Sequence, residues 1–234
     1  MNAKRALIRA GASLGAAAAL ATAVIGIAHT PWGRPLLQLP LLRSMASHAG
    51  CPLGSIEPAA FERVRATKLR AEAGNANAGA HPALGFVLGE TRRPDVEQWA
   101  ARTRTRCKPD LVSSVLQCEN VTALGAPAIS QLRLQFDPQT RLVSVDAFRP
   151  STDPTPLIAR FETLARDLDG SVGPATSAVG TPSAAFLKSA PLQTVTRSYR
   201  YRDYIATSML LNFGKRGARL REQYQWLAPE PPPA

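Results

Sequence analysis

Between Ile129 and Phe136 the chain alternates apolar and polar side chains, with Leu132, Leu134 and Phe136 on one side. That period of two predicts a strand with one buried face. Strands are also predicted at Leu111–Cys118 and Arg141–Arg149, with Asp137-Pro138-Gln139-Thr140 as the hairpin turn before the latter. Ahead of them the period lengthens. Val96, Trp99 and Ala100 recur at helical spacing, Thr91 or Arg93 opens the helix, and Pro94 suits its first turn. Asp95 and Glu97 favour its positive end, and Cys107-Lys108-Pro109-Asp110 closes it.

The pattern then recurs. Phe161, Leu164, Ala165 and Leu168 mark the apolar side of a helix over Pro156–Asp169. A Gly/Pro/Ser/Ala-rich connection runs from Gly170 to Ser189, and strands are predicted at Leu192–Arg202, Tyr204–Phe213 and Ala218–Leu227. Met209, Leu211 and Phe213 mirror Leu132, Leu134 and Phe136, and Arg219-Leu220 mirrors Arg141-Leu142. The expected fold class is α+β, built from two helix-plus-three-antiparallel-strand units at 84–150 and 155–227. They would form a sheet of about six strands covered by helices on one face. One continuous α+β domain over 84–227, without duplication, predicts the same sheet. Residues 29–83 comprise a Pro-rich stretch, a charged helix over Glu57–Ala73 with Phe61, Val64 and Leu69 on its apolar side, and a linker from Gly74 to Pro82. Residues 228–234 form a Pro-rich tail expected to be disordered.

A different pattern occupies the N-terminus. Residues 10–28 are uncharged, and Lys4, Arg5 and Arg9 stand directly before them. As a helix this run spans roughly 28 Å, close to the hydrocarbon thickness of a bilayer. Cations ahead of the run and none directly after it orient the rest of the chain away from the cytoplasm. Two readings stand. The run is an uncleaved signal anchor, which makes the protein a single-pass inner-membrane protein with a periplasmic C-terminal domain. Alternatively it is a signal peptide cut after Gly26-Ile27-Ala28, which releases a periplasmic or secreted protein. Trp32 suits the membrane interface as well as a linker. Cys51 does not indicate lipidation, because His48 stands where a lipobox carries leucine.

The formal charge of +11 exceeds what the three leading cations supply, so the body of the chain is basic. It would be drawn to an anionic envelope surface or an acidic envelope protein. Nucleic acid matches the charge but not the compartment, and is not an expected partner. Three cysteines without a CxxC pair match no zinc pattern. In an oxidising compartment Cys107 and Cys118 can close a disulfide loop worth about 3 kcal/mol; two buried thiols are the alternative.

The residue types for catalysis are sparse. His29, His48 and His81 all precede the predicted domain, which removes Ser-His and Cys-His arrangements from it. Gly11-Ala12-Ser13-Leu14-Gly15 has the letters of a nucleophile elbow but lies within the hydrophobic run. Asp146 and Glu222, on counterpart strands, are the carboxylates that acid–base chemistry would use. No cofactor and no metal is expected. Arg197, Tyr199, Arg200, Tyr201 and Arg202 interleave cations with aromatics as binding surfaces do, and Arg219 and Arg221 in the next hairpin extend them. A solvated strand with its tyrosines packed under helices explains the same residues.

The stretch Leu88-Gly89-Glu90-Thr91-Arg92-Arg93-Pro94-Asp95-Val96 resembles the start of SmpA/OmlA (BamE-like) envelope domains, where a Gly-x-Thr turn opens a helix and antiparallel strands follow. Here the gap from Gly to Val is one residue longer. The Leu-Gly-x-Pro that follows in that family is echoed only by Val172-Gly173-Pro174, and the family's lipoprotein cysteine is missing. Tandem copies of a related helix-plus-sheet unit occur in beta-lactamase-inhibitor-type proteins. The resemblance implies an exported, protein-binding module.

Together these features predict a membrane-anchored periplasmic protein that acts as a non-enzymatic envelope interaction or assembly module. A secreted binding or inhibitor protein is the alternative, followed by a carboxylate-dependent envelope hydrolase.

Overall fold

The computed structural model describes residues 58–110 and 114–228. The N-terminal run, the Pro-rich stretch with Cys51, the start of the strand expected at Leu111 and the tail from 229 lie outside the described residues. Among the described residues no helix is long and apolar enough to cross a membrane. The chain separates into two compact units, Met1–Phe61 and Glu62–Ala234, and every described strand belongs to the second.

Helix α1 (Pro58–Glu72) comes first. Its expected apolar side is not a core face, since Val64 is exposed. A two-stranded ribbon, β1 (Pro82–Ala83) and β2 (Phe86–Val87), leads into helix α2 (Arg93–Thr103). Strands β3 (Arg106–Pro109), β4 (Val115–Val121), β5 (Ile129–Phe136) and β6 (Leu142–Ser151) follow. Helix α3 (Thr155–Ser171) then precedes β7 (Ser177–Val179), the short helix α4 (Ala184–Lys188), β8 (Thr194–Arg200), β9 (Tyr204–Asn212) and β10 (Ala218–Trp226).

The fold is α+β, with one antiparallel sheet of eight strands in the order β3-β4-β5-β6-β10-β9-β8-β7. Two helix-plus-four-strand meanders lie back to back, joined where β6 pairs with β10. The expected count of about six strands falls short by the two edges. Strand β3 carries Lys108 and Pro109, which read as part of a helix stop; an edge strand tolerates both charge and proline. Strand β7 is three residues long, too short to show a period.

The expected match between Leu132, Leu134, Phe136 and Met209, Leu211, Phe213 is one residue out of step. Leu132, Leu134 and Phe136 face the core, whereas on β9 the core face carries Tyr204, Ala206, Ser208 and Leu210. Met209 and Leu211 stand on the opposite face, because a shift of one residue exchanges the two faces of a strand.

Helix α2 contributes Val96 and Ala100 to the core, and α3 contributes Leu157, Phe161, Leu164, Ala165 and Leu168. The larger cluster joins these helices to the inward residues of both sheet halves. A smaller one under the first turns of α3 and α4 contains Leu187, Val195, Leu210 and Leu220. The Gly-x-Thr turn before α2 has a plain cause. Gly89 sits at φ 82°, where an added Cβ would lie 2.8 Å from the Trp226 ring. Thr91 closes the turn by accepting the Val87 N–H on its hydroxyl at 3.0 Å.

The stretch 74–82, read as a linker, is tied to the β8–β9 turn. The Ala78 N–H donates to Asp203 Oδ1 (2.8 Å), His81 Nε2 lies 2.9 Å from Asp203 Oδ2, and Tyr204 Oη donates to the Pro82 carbonyl (2.5 Å). Partial burial pushes the Asp203 carboxyl up, but the bonds from Ala78 and His81 outweigh it and hold the group below its usual range. A carboxyl depressed in the folded state stabilises the protein above its unfolded pKa, and that contribution is lost as pH falls through the folded one. Asp203→Asn should therefore flatten the loss of stability on acidification below about pH 4, followed by urea unfolding at stepped pH. An unchanged acid limb would show that the Asp203 ties contribute nothing.

Cys107 and Cys118 are directly opposed on β3 and β4, with their sulfurs 1.99 Å apart. Reducing this disulfide should lower unfolding stability by about 3 kcal/mol, measured by urea unfolding with and without reductant. Coincident curves, with the thiols confirmed as released, would contradict a stabilising staple.

Candidate functional site

The sheet has two unlike faces. The helix-covered face carries the core residues and a buried charge cluster. On the other face, cross-strand partners line up in rows. One row runs Ser177, Ser198, Thr207, Gln223, Asp146, Arg133, Gln117, Lys108 across all eight strands. Every member is polar; Ser198, and Val115, Ser144 and Ile205 elsewhere on this side, are buried, and the open face is the remainder. The adjacent row runs Val179, Thr196, Met209, Arg221, Phe148, Gln131, Glu119, Arg106, mixing apolar side chains with charge. Neighbouring strands are about 4.8 Å apart, so each row is roughly 34 Å long.

Several charges on this face are paired. Arg221 donates to Asp146 at 2.9 and 2.6 Å and lies over the Phe148 ring. Its bond to Asp146, against partial burial, raises the guanidinium above its usual pKa. Arg133 reaches Asp110 at 3.0 Å and Lys108 reaches Glu119 at 3.1 Å. Arg106, Arg200 and Arg219 are exposed and meet no carboxylate among the described residues. The face therefore holds uncompensated positive charge spread over β3, β8 and β10.

The opposite side of the seam holds the buried cluster. Arg149 on β6 and Glu222 on β10 are both fully buried, and Arg149 Nε donates to Glu222 Oε1 at 2.5 Å. The rest of the Arg149 fork donates to the carbonyls of Leu124, Gly125 and Pro127, which ties down the β4–β5 loop. Glu222 also accepts from Arg160 on α3 (3.1 Å) and from the Tyr224 hydroxyl (3.1 Å). Burial opposes charge on Arg160, but its bond to Glu222 outweighs this and raises its pKa. Burial also holds the Tyr224 phenol well above its ordinary range, so it stays protonated as a donor. Arg160 and Tyr224 line a cleft of about 350 Å³ between α3 and the loops at Leu84 and Leu124.

These positions separate the residues singled out in the sequence. Asp146 and Glu222 project from opposite faces of the sheet, and Glu222 is enclosed by its three donors. They cannot act as a pair on one substrate. The aromatic–cation stretch is also divided. Tyr199 is fully buried, with its hydroxyl donating to Asp169 Oδ1 (2.9 Å) and to the Ala165 carbonyl (3.1 Å). Tyr201 donates to the Pro174 carbonyl, and Arg197 pairs with Asp169 on this covered side. Arg202 is held by the Asn75 carbonyl at the β8–β9 turn. Only Arg200, Arg219 and Arg221 of the expected surface stand on the open face. Alternation along the strand moved the tyrosines under α3, where their rings fill the core and their hydroxyls find partners.

Arg106, Arg133 and Phe148 join the open face although sequence reasoning did not select them. Their signal was the parity of each strand, legible only once the register was known. Among the described residues no group of three His, Cys, Asp or Glu side chains is placed to hold a metal.

Removing one partner of a buried pair strands the other charge. Glu222→Gln should cost about 3–5 kcal/mol of stability and loosen the β4–β5 loop, while the paired change Glu222→Leu with Arg149→Met should recover most of it. A paired loss equal to the sum of the Glu222→Leu and Arg149→Met losses, by urea unfolding, would show that the two side chains act independently. No family model, no curated protein and no solved structure matches the chain.

Proposed function

We propose that the protein is an exported, non-enzymatic binding module of the bacterial envelope, held at the inner membrane by its N-terminal run, and that the open face of the sheet receives its partner. One observation carries the reading: two unbroken cross-strand rows span all eight strands opposite the helices, and Arg106, Arg200 and Arg219 on that face meet no carboxylate among the described residues. A stiff sheet backed by a packed helical layer offers a preorganised surface, which lowers the ordering cost of association. Spread positive charge steers an acidic partner toward it. The resemblance of Leu88–Val96 to SmpA/OmlA domains supports an assembly role. Gly26-Ile27-Ala28 supports the second reading, in which cleavage releases the same module as a secreted binding or inhibitor protein.

Photocrosslinkers placed at Thr207 or Gln223 test the face in intact envelopes. A discrete adduct is expected, and Arg106→Glu, Arg200→Glu and Arg219→Glu together should abolish it. Adducts formed equally well from an exposed position on α3, such as Arg166, would overturn the assignment of the face. Intact mass decides between the two readings: a chain retaining its N-terminus in membranes supports the anchor, and a mature start at His29 in the soluble fraction supports release.

A further inference from the structure

The end of the sheet where β8 begins, β9 ends and β10 begins has a chemistry unlike the rest of the surface. Leu192 and Phe213 are exposed by 64% and 37%, two of the few large apolar side chains turned to solvent. They flank Asn212. The Leu192 N–H donates to the Asn212 carbonyl at 3.0 Å, and Phe213 follows directly with its N–H on the Gly217 carbonyl at 2.8 Å. The Asn212 side-chain amide donates to the Leu187 carbonyl at 2.6 Å, which brings the exposed Lys188 beside them. Lys215 and Arg216 occupy the intervening 3-10 turn, and the Arg219 guanidinium lies 5.4 Å from the centre of the Phe213 ring.

Acidic residues are scarce here. From Ala184 to Arg219 the chain has one, Asp203, at the far end of the β8–β9 hairpin. Asp153 acts on Lys188, but it is already engaged by the Thr155 N–H and hydroxyl at the start of α3. Leu192 also holds φ at 61°, in the left-handed region that a bulky side chain rarely adopts. Glycine or asparagine would relax that backbone, and the core does not need leucine there. A strained backbone that presents an apolar side chain to water points to a contact made outside the chain.

We propose that this tip docks the folded domain on an anionic lipid surface, with Leu192 and Phe213 entering the interface and Lys188, Lys215, Arg216 and Arg219 meeting phosphate head groups. Apolar side chains ringed by cations satisfy both layers of such an interface, and each cation near an anionic bilayer contributes about 1 kcal/mol. The contact shares Arg219 with the open sheet face and uses no residue of the N-terminal run.

The test uses the full chain with Cys51→Ser and an environment-sensitive fluorophore on Pro191→Cys, with the Cys107–Cys118 disulfide intact. Vesicles of phosphatidylcholine alone are compared with vesicles containing phosphatidylglycerol, each carrying a lipid-borne quencher. Under the anchor reading proposed above, the N-terminal run recruits the chain to both kinds. The label should shift to the blue and be quenched only on the anionic vesicles. Lys188→Gln, Lys215→Gln and Arg216→Gln together should lower the docked-to-free ratio by about a hundredfold. Leu192→Gly, which suits the backbone and so preserves the fold, should weaken quenching by itself. A label that stays in water on both vesicles, or is quenched equally on both, overturns the proposal. So does a signal that soluble polyphosphate produces and vesicles do not.

Discussion

A carboxylate sealed inside a protein must be met by donors on every side, and Glu222 meets that requirement with groups drawn from both halves of the sheet. Arg149 comes from β6, Tyr224 from β10 itself and Arg160 from the helix above. Desolvating such a cluster costs several kcal/mol per ion, repaid only when the geometry is complete. Completeness here requires that β6 and β10 lie side by side, that α3 cross over them, and that the β4–β5 loop turn its carbonyls toward Arg149. The cluster thus discriminates against any other arrangement of the two halves, even if it adds little to net stability.

Once the seam is set, the two faces follow. Alternation sends Leu132, Leu134, Leu210 and Leu220 beneath the helices and sends Arg133, Gln223 and Thr207 to the other side. Antiparallel pairing across eight strands turns that alternation into rows that cross the molecule from β7 to β3. A surface of that length arises because two meanders share one sheet; either half by itself would present a four-stranded face. The edges differ as well. Arg106, Lys108 and Pro109 protect β3 against strand addition, and the disulfide pins it to β4.

Much of this was visible in the alternation of residues. Ile129–Phe136 is the strand its pattern predicts, and Tyr204–Asn212 and Ala218–Trp226 differ from expectation by a residue at an end. Helix α3 and the Cys107–Cys118 pair were equally readable, since the first has a five-residue apolar stripe and the second a short spacing that a disulfide loop can close. What the residues could not disclose depended on register. Tyr199 and Arg197 looked like surface because arginine neighbours them, yet parity and Asp169 draw them under α3. Asp146 and Glu222 looked comparable because their strands are counterparts, yet they leave the sheet on opposite sides. Arg149 gave no local sign of burial, because its partners lie on elements distant in the chain.

The two meanders form one cooperative sheet locked at the β6–β10 seam. Native-state hydrogen exchange resolved by residue tests this most directly. Amides of β6 and β10 should be the slowest in the protein and should exchange together, at the free energy of global unfolding. Exchange of β7–β10 at a lower free energy, while β3–β6 stays protected, would mean that the halves open independently and that the seam does not hold the fold together.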